Sequence, residues 1–577
     1  MQKTILRREL PALVQFDRPL HPLLQRIYSA RGVQHGRELE YQLAHLAKPH
    51  FKGLPEAVSL LADAVVAQAK IMIVGDFDAD GATSSALAVL ALRAMGLSSV
   101  DFLVPNRFEY GYGLTPEIVA VAAAQQPDII VTVDNGISSI EGVNAARELG
   151  IAVVVTDHHL PGAELPDADA IVNPNQPGCE FPSKNLAGVG VIFYVMNALR
   201  AELRQIGWFE ENGIPEPNMA SFLDLVALGT VADVVPLDHN NRILVAQGLE
   251  RIRAGRCRPG IKAMLEVAGK QTHKLVASDF GFALGPRLNA AGRLDDMSLG
   301  IQCLLCESEN LAREMAAQLD ELNRDRKAIE TGMQQEAMTM LQKILEADEE
   351  SLPWGVCLFD ETWHQGVIGI LASRIKDKYH RPTIVFADVG DGEIKGSARS
   401  VTGFHIRDAL DAIAARHPRL LQKFGGHAMA AGMSLRRDNF AAFAQAFDEE
   451  VRRQLTATDL QAVVVSDGEL ATQELSLQLA AHLRDAGPWG QHFPEPLFDG
   501  EFFLLQQRKV GEKHLKMTLA MDAKGQQLVD AIAFNIDTGI WPNPNIQRVR
   551  VAYKLDINEF RGNTNLQLLV EYLEPLN

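Results

Sequence analysis

Short apolar runs alternate with longer helix-like stretches between about Ile71 and Pro174. The runs IMIVG, SVDFLVP, DIIVTV and IAVVVT are short enough to be strands, and the stretches ATSSALAVLALRAMGL and LTPEIVAVAAAQQ have the length of helices. This alternation predicts β-α-β units and therefore a parallel sheet. Because ligands bind at the carboxyl ends of the strands in open parallel sheets, we expect the chemistry of this region along that edge.

Three further patterns follow along the chain. From Ser308 to about Ala347 there is no proline and a single glycine, and apolar residues recur every three or four positions, which predicts one long helix. A smaller α/β pattern follows in WGVCLFDETWHQGVIGILASRI, RPTIVFADV, IKGSARS and FGGHAMAAGMSL. From about Gln461 onwards apolar and polar residues alternate, as in LFDGEFFLLQQRKV and VRVAYKLDIN, which predicts a five-stranded OB-like β-barrel.

The predicted fold class is therefore α/β multidomain. A chain of 577 residues exceeds what one hydrophobic core supports, and 47% hydrophobic with 22% charged residues is typical of globular proteins. The predicted parts are an N-terminal extension without an assigned motif (1–50), a parallel-sheet catalytic domain (51–305), a connecting helix (306–349), a smaller α/β companion domain (350–458) and the OB-like domain (459–577).

The chain is expected in a reducing cytoplasm and away from membranes. Its N-terminus has no apolar run of the kind that a secretory signal needs, and its most apolar stretches are interrupted by Asp63, Lys70 and Arg93. Five cysteines, an odd number, do not indicate a disulfide framework. The pair Cys303 and Cys306 lacks a second pair at zinc-finger spacing, so we interpret both as packed helix residues.

The formal net charge of −18 at pH 7 disfavours nucleic-acid binding if the charge is evenly spread. A nucleic-acid-binding protein of this composition needs local basic surface. Divalent cations that are bound by clustered carboxylates reverse the sign of the local electrostatic field. The negative net charge alone therefore does not exclude nucleic-acid binding.

Acidic residues and histidines follow the predicted strands. Hard divalent cations prefer carboxylate oxygens, and Mn²⁺ also accepts imidazole nitrogen. A single aspartate in such a loop is more often a turn residue or a helix N-cap, but the accumulation favours a two-metal centre that hydrolyses a phosphate ester. We place all four segments at strand ends, with the DxD step in an extended exit; the residues are Asp76, Asp78, Asp80, Asp134, Asp157, His158, His159 and Asp233.

The segments DFDADG, VDNG, TDHH and ADVVPL, in this order, resemble the motifs of the DHH phosphoesterase superfamily. By this resemblance Asp157, His158 and His159 form the catalytic triplet, in which Asp157 and His159 support the site or contact substrate. The resemblance also implies a set of metal ligands, namely Asp78, Asp80, Asp134, His158 and Asp233, with Asp76 as an additional candidate.

Two arginine-containing segments, PNRFEYGYGL and GPRLNAAGR, resemble the RecJ exonuclease family within that superfamily, and GGHAMAAG resembles its DHHA1 companion domain. The resemblance implies a pocket for a 5′-terminal phosphate built from Arg107, Ser397 and Arg399, with His427 facing a cleft between the two domains. Arginine binds phosphate bidentately, but each of these arginines could instead pair with one of the many carboxylates. The remaining candidates for substrate binding are Arg287, Asn289 and Arg293.

Basic residues in the OB-like domain are candidates for nucleic-acid binding. Arg508, Lys509, Lys513 and Lys516 cluster on neighbouring strands beside His514, and Phe502, Phe503, Phe560 and Arg561 are available for base stacking. The alternative is that the phenylalanines belong to the core and the lysines are merely solvated.

The RecJ resemblance implies a processive exonuclease that degrades single-stranded DNA from its 5′ end to mononucleotides, with two Mn²⁺ or Mg²⁺ ions, in DNA recombination and in repair, including mismatch repair. It also implies a single-stranded-DNA-binding protein and a RecQ-type helicase as partners. One alternative is a DHH phosphodiesterase for short oligonucleotides or cyclic dinucleotides. The other is a non-catalytic scaffold that binds single-stranded DNA.

Overall fold

A computed structural model describes residues 3–11, 14–17, 19–106, 110, 112–347, 352–522, 524–560 and 562–576. The strands, in chain order, are β1 (Thr4–Arg7), β2 (Ile71–Gly75), β3 (Val100–Leu103), β4 (Ile129–Val133), β5 (Ala152–Thr156), β6 (Ala170–Val172), β7 (Val356–Asp360), β8 (Thr383–Gly390), β9 (Glu393–Arg399), β10 (Lys423–Gly426), β11 (Ala430–Arg436), β12 (Val463–Ser466), β13 (Phe498–Val510), β14 (His514–Ala520), β15 (Leu528–Ala533), β16 (Arg548–Phe560) and β17 (Asn563–Leu576).

The α-helices are α1 (Pro22–Ala30), α2 (Leu54–Ala67), α3 (Ala79–Ala94), α4 (Pro116–Ala123), α5 (Ile140–Glu148), α6 (Gly188–Gln205), α7 (Trp208–Asn212), α8 (Leu223–Ala232), α9 (His239–Arg253), α10 (Pro259–Val267), α11 (Ala277–Asp279), α12 (Gly285–Leu294), α13 (Ser298–Leu305), α14 (Glu309–Ala347), α15 (Ile368–Tyr379), α16 (Ile406–Arg416), α17 (Phe440–Gln454) and α18 (Leu477–Asp485). Short 3₁₀ turns connect several of them, and one π-helical turn, Phe280–Leu284, leads into α12.

The chain divides into two compact units, and each unit consists of segments that are not contiguous in the sequence. One unit comprises Glu9–Asn323 and Ala481–Pro496, and the other comprises Met1–Arg8, Arg324–Ala480 and Leu497–Asn577. The division after Asn323 falls inside α14, the long helix expected from the sequence. No helix within the described residues is long and apolar enough to cross a membrane.

The first unit contains a five-stranded parallel sheet in the order β3-β2-β4-β5-β6. Every residue of β2 and β4 is buried, which explains why these strands read as continuous apolar runs rather than as alternating patterns. Apolar side chains of β2, β4 and β5 pack on α4 and α5 to form one core. The predicted parallel sheet is confirmed. The loops that follow its strands start at its carboxyl edge.

The second unit contains a mixed sheet and a barrel. The sheet has the order β10-β11-β9-β8-β7, with β7 and β8 parallel and the other pairs antiparallel. Its core combines side chains of β8, β9 and β11 with α16 and α17. Residues 394–399 of the segment IKGSARS lie within β9, which is paired with β8 on one side and β11 on the other.

The C-terminal strands close into a barrel in the order β13-β14-β15-β17-β16, as expected for the OB-like domain. The N-terminal strand β1 belongs to the same unit, where it pairs in parallel with β12, Thr4 opposite Val463. Arg7 of β1 donates to the buried carboxylate of Asp499 at 2.9 and 3.0 Å, and Ser466 of β12 donates to the same carboxylate at 2.5 Å. Strand β1 is thereby fixed to the first strand of the barrel.

Candidate metal centre and nucleic-acid surfaces

The carboxyl ends of three adjacent strands bring acidic residues to one point. Strands β2, β4 and β5 are neighbours in the sheet, with Gly75 beside Val133 and Val133 beside Thr156. Asp76, Asp134 and Asp157 each follow one of these strands directly. Parallel pairing therefore places residues that are far apart in sequence at the same edge, as the sequence predicted.

The DxD step adopts a different conformation from the extended exit expected from the sequence. Asp78 is the N-cap of α3, and its side chain accepts hydrogen bonds from the backbone amides of Asp80 at 2.9 Å and Gly81 at 3.1 Å. Asp80 already lies in the first helical turn and is buried. The helix begins one turn earlier than the apolar pattern indicates because Asp78 caps it.

Asp80 is held by a second helix. The backbone amides of Gly188 and Val189, at the start of α6, donate to its two carboxylate oxygens at 2.6 and 2.9 Å. The positive end of a helix favours negative charge at this position. Asn289, predicted as a substrate-binding residue, accepts a hydrogen bond from the amide of Ala79 at 2.7 Å and so contacts the same loop.

Asp233 does not follow a strand, and this expectation is wrong. The apolar stretch LDLVALGTVA is α8, and Asp233 is its C-cap. A helix buried on most sides lacks an apolar stripe, so its sequence cannot be distinguished from a buried strand by periodicity. The helix nevertheless brings the Asp233 carboxylate to the same point as the strand ends.

His158 is the centre of the cluster. Its Nε2 atom lies 3.1 Å from Asp134 Oδ1, 3.5 Å from Asp233 Oδ2 and 3.9 Å from Asp80 Oδ2. Three groups have potential ligand atoms that all lie within 4.8 Å of one another: Asp80 with His158 and Asp233, Asp134 with His158 and His159, and Asp76 with Asp78 and Asp134. Asp134 and His158 each belong to two of the three groups, so the donor set would offer more than one position for a cation.

The electrostatics of the cluster fit cations. Asp134 Oδ1 and Asp233 Oδ2 are buried and accept no hydrogen bond from any described residue. Burial, followed by the neighbouring carboxylates, raises the pKa of both groups well above the usual range. The same causes raise the pKa of Asp80 to about 7. Crowded carboxylates of this kind are stabilised in the ionised form by divalent ions, so the donor set suits Mn²⁺ or Mg²⁺.

Asp157 and His159 form a hydrogen-bonded pair beside the cluster. His159 Nδ1 lies 2.7 Å from Asp157 Oδ1, and the other Asp157 oxygen accepts from the amide of Ile137 at 2.9 Å. Burial disfavours ionisation of Asp157, but the bond and charge of His159 lower its pKa below the usual value. Burial likewise disfavours the imidazolium, yet Asp157 raises the pKa of His159 to about 9. The hydrogen bond to Asp157 thus favours the imidazolium form of His159.

Two residues near the cluster were missed by the sequence reasoning. Gly188 has no room for a side chain, because a Cβ atom there would lie 2.7 Å from Asp134 Cβ. The Tyr112 hydroxyl lies 3.4 Å from the Asp134 carbonyl oxygen and 3.4 Å from His159 Nε2. Tyr112 belongs to the segment PNRFEYGYGL, in which only the arginine was predicted to bind substrate. Gly188 is the first residue of a helix, and nothing in the residues around it indicates close packing.

The predicted substrate-binding arginines of this unit have different environments. Arg107 lies outside the described residues. Arg287 pairs with Asp320 at 2.7 Å and also donates to the carbonyl of Ala283, so the alternative of internal pairing is realised for this residue. Arg293 is half-buried on α12. Helix α12, which carries Arg287 and Arg293, begins at Gly285, and Gly285 packs on Ala232 of α8, the residue before Asp233.

In the companion domain Ser397 and Arg399 point to the same side of β9. The Arg399 guanidinium donates to Ser397 Oγ at 3.1 Å, and burial lowers the pKa of Arg399. No carboxylate among the described residues lies within ion-pair distance of this guanidinium. A half-buried arginine without an acidic partner is suited to an anion. His427 is exposed at the turn between β10 and β11.

The barrel carries a groove of about 990 Å³ along β13 and β14. Arg508 is exposed and stands opposite Lys516 in the strand register, and Lys516 pairs with Asp530 at 3.1 Å. Lys509 and Lys513 are exposed nearby. Phe503 lines the groove, whereas Phe502 is only 1% exposed and belongs to the core, so the expectation that it stacks on a base is wrong.

The remaining aromatic and basic candidates of the barrel are only partly described: Arg561 and the side chain of Phe560 lie outside the described residues.

Three family models match the chain. The model described as "DHH family, N-terminal domain" matches residues 70–230, the "DHHA1 domain" matches residues 353–453, and the "RecJ OB domain" matches residues 466–572. The three matches fall on the parallel sheet, the mixed sheet and the barrel, respectively.

The chain is also similar to proteins over its whole length. It is 58% identical to the "Single-stranded-DNA-specific exonuclease RecJ" of Dickeya dadantii over 574 residues, which are 99% of each chain. The crystal structure of RecJ from Thermus thermophilus in complex with Mn²⁺ superposes with a TM-score of 0.78 at 31% identity, covering 96% of this chain and 76% of that chain. The Mg²⁺ complex of that protein gives a TM-score of 0.72 at 29% identity, with 96% and 75% covered.

Proposed function

Since the chain belongs to the RecJ family of single-stranded-DNA-specific exonucleases, we propose that it hydrolyses single-stranded DNA processively from the 5′ end to mononucleotides. The observation that carries this proposal is the convergence of Asp134, His158 and Asp233 around a point where buried carboxylate oxygens accept no hydrogen bond from the described residues. Burying carboxylates without hydrogen-bond donors costs folding free energy, and a protein that only binds DNA does not need such an arrangement.

The cofactor is Mn²⁺ or Mg²⁺, the ions with which the related structures were solved, and we propose that two ions bind. We assign them to a set of six ligands, namely Asp76, Asp78, Asp80, Asp134, His158 and Asp233. When bound, such ions lower the pKa of a water and neutralise charge that develops on a phosphodiester during in-line displacement. The helix starts at Asp78 and Gly188 fix the ligands before substrate arrives.

His159 acts on substrate rather than on the ions in this proposal. Its imidazolium is maintained by Asp157, and a cation at this position attracts the phosphate next to the scissile bond. Asp157 has both oxygens occupied by donors from His159, His158 and Ile137, so it positions the histidines. Asn289 and Arg293 on α12 are also assigned to substrate binding. The same assignment for Arg287 requires its ion pair with Asp320 to open when DNA binds.

The preference for a 5′ end is assigned to the companion domain. Ser397 and Arg399, which are hydrogen-bonded to each other, are assigned to binding the terminal phosphate. Arg107 and His427 are assigned to the same role from the family resemblance alone. The barrel binds the downstream strand through Arg508, Lys509, Lys513 and Lys516. Holding the strand in two places keeps it bound between successive cleavages, which makes digestion processive.

The biological role proposed is DNA recombination and repair, including mismatch repair, in the cytoplasm. An enzyme restricted to single strands requires a duplex to be opened first. We therefore include a RecQ-type helicase and a single-stranded-DNA-binding protein as partners, to be tested by whether each increases the rate at which duplex DNA is degraded.

The proposal is tested with one oligonucleotide labelled at its 5′ or 3′ end, offered single-stranded and as a duplex, with Mn²⁺, Mg²⁺ or chelator. We expect immediate release of the 5′ label as mononucleotide, from the single strand and only with metal. Asp134→Asn removes a ligand and is expected to abolish release, whereas Asp101→Asn, an exposed aspartate of β3, serves as the matched control.

Two outcomes would favour the alternatives. Cleavage confined to very short oligonucleotides or cyclic dinucleotides would indicate a small-substrate phosphodiesterase. Tight binding of an intact strand in the presence of metal would indicate a scaffold without catalytic activity.

A further inference from the structure

The loop that carries Asp233 is strained. Val234 has φ of +63°, in the left-handed region that β-branched residues avoid, and 62% of it is exposed. Such a conformation persists only where its surroundings enforce it. The loop Asp233–Asp238 therefore needs contacts that maintain the Val234 backbone conformation. The same contacts determine where the neighbouring Asp233 carboxylate lies.

One set of contacts comes from the start of α9. Asp238 is the N-cap of this helix and accepts hydrogen bonds from Ser183 Oγ at 2.6 Å and from the amide of Asn241 at 3.0 Å. Asn241 in turn donates to the carbonyl of Pro236 at 2.9 Å. These contacts fix the end of the loop that is distant from Asp233.

The other contacts come from a distant part of the sequence, Ala481–Pro496, which we call the clamp segment; it belongs to the same compact unit as Asp233. The carbonyl of Gln491 accepts a hydrogen bond of 2.8 Å from the amide of Leu237. Gly490 lies against the same residue, since a Cβ atom there would lie 2.6 Å from Leu237 Cδ1. Leu237 is thereby held on both its backbone and its side chain.

Arg242 connects the clamp segment to the loop. Its guanidinium donates to the carbonyl of Leu237 at 2.9 Å and lies 4.2 Å from the centre of the Phe493 ring. Arg242 is 5% exposed, so both contacts are desolvated and correspondingly strong. Phe493 itself stacks on Trp489 at 5.2 Å and on Tyr28 at 6.2 Å, so its ring is packed on aromatic neighbours as well as on Arg242.

We infer that Arg242 and the clamp segment position the metal ligand Asp233, by holding Leu237 and so maintaining the strained backbone at Val234. This inference rests on the proposed function, because it assumes that Asp233 binds a divalent cation. Arg242 acts through other residues and does not contact the ions or the substrate.

The inference is tested by Mn²⁺ titration of the full-length protein in a calorimeter, with thermal unfolding of the metal-free protein measured in parallel. Arg242→Ala is expected to weaken Mn²⁺ binding by about tenfold, as loss of supporting residues around metal ligands does. Introducing Val234→Gly into this variant is expected to restore most of the affinity, because glycine adopts positive φ without strain. Val234→Gly alone provides the reference for the double variant.

Arg258→Ala is the matched control. Arg258 is also a largely buried arginine over an aromatic ring, 5.1 Å from Phe222, but it contacts the opposite end of α8 from Asp233. It is expected to lower the unfolding temperature and leave Mn²⁺ affinity unchanged. If Arg242→Ala does not fold, Phe493→Leu removes only the ring beneath the guanidinium and is expected to weaken Mn²⁺ binding in the same direction.

Equal loss of Mn²⁺ affinity in the Arg258→Ala and Arg242→Ala variants would overturn the inference, and so would absence of rescue by Val234→Gly. Failure of the proposed function gives a different result. In that case the unaltered protein binds Mn²⁺ without digesting DNA, and the affinities of the variants still decide the role of Arg242.

Discussion

The backbone amide of Gly188 donates a 2.6 Å hydrogen bond to the carboxylate of Asp80, although the two residues are 108 positions apart in the chain. Gly188 also packs against Asp134, so one glycine contacts two of the proposed metal ligands. The first turn of α6 thus determines the spacing of these carboxylates.

Gly188→Ala is expected to reduce metal-dependent nuclease activity at least a hundredfold while the protein remains folded. The new methyl group would lie 2.7 Å from Asp134 Cβ, which forces this ligand to move. Activity and thermal unfolding are measured together. Gly332→Ala, at a position of α14 with open space around it, is the control and is expected to have full activity. Full activity in Gly188→Ala would show that the close approach to Asp134 is unimportant.

Mn²⁺ binding is expected to release protons at pH 7. Burial and mutual repulsion raise the pKa of Asp80 to about 7 and those of Asp134 and Asp233 well above the usual range. These groups are partly protonated without metal and must ionise to bind it, so affinity falls as the pH falls from 8 to 6. Calorimetry in buffers of different ionisation enthalpy counts the protons. Affinity that is constant over this range would contradict the raised pKa values.

Arg399→Gln is expected to remove the preference for a 5′-phosphorylated end. A charge-assisted hydrogen bond to phosphate contributes about 1.5–3 kcal/mol to binding. Its loss corresponds to a roughly ten- to hundredfold increase in KM for the 5′-phosphorylated strand. The rates on 5′-phosphate and 5′-hydroxyl strands are compared. Arg407→Gln, an exposed arginine of α16 that pairs with Asp411, is the control. An unchanged ratio of the two rates would exclude Arg399 from the phosphate pocket.

Arg508→Ala combined with Lys509→Ala is expected to impair digestion of long strands and to spare very short ones. Both side chains are exposed on β13, and the barrel is proposed to bind only the downstream strand. The salt dependence of binding is expected to become less steep by about 0.7 for each phosphate that the variant no longer neutralises. Arg452→Ala on α17 is the control. Equal effects on short and long strands would argue against this role of the barrel.

Arg7→Gln is expected to destabilise the barrel unit by about 1–3 kcal/mol at neutral pH, because the buried carboxylate of Asp499 loses a charged donor. Burial opposes ionisation of Asp499, but Arg7 and Ser466 lower its pKa below the usual value. A lowered pKa stabilises the fold above the ordinary carboxylate range, and this stabilisation is lost as the pH falls through the folded-state value. The difference between variant and unaltered protein is therefore expected to shrink below about pH 4 in chemical denaturation.

The parallel sheet, the long helix and the barrel could be predicted from the sequence because each has its own apolar pattern. The sheet strands are short continuous runs, the helix has three- and four-residue spacing, and the barrel strands alternate. Asp76, Asp134 and Asp157 could be placed at one edge because parallel pairing leaves no other arrangement for adjacent strand ends. Asp233 could not, since a fully buried helix and a buried strand have the same apolar sequence.

Contacts between distant segments were also beyond prediction. Nothing in the sequence near Gly188 or Arg242 indicates a partner, since their roles depend on backbone atoms of other segments. Backbone donors and acceptors are common to every residue and leave no trace in a single sequence. For the same reason, the sequence does not reveal that β1 pairs with β12.

The pairing of β1 with β12 also has a consequence for synthesis. Ribosomes add about 5–20 residues per second, so Thr4 is synthesised about 20 to 90 seconds before its partner Val463. During this interval β1 is an unpaired strand that could join other nascent chains. It is only four residues long, it ends with the charged residue Arg7, and Lys3 and Arg8 flank it. These are features that discourage edge-to-edge aggregation while a strand waits for its partner.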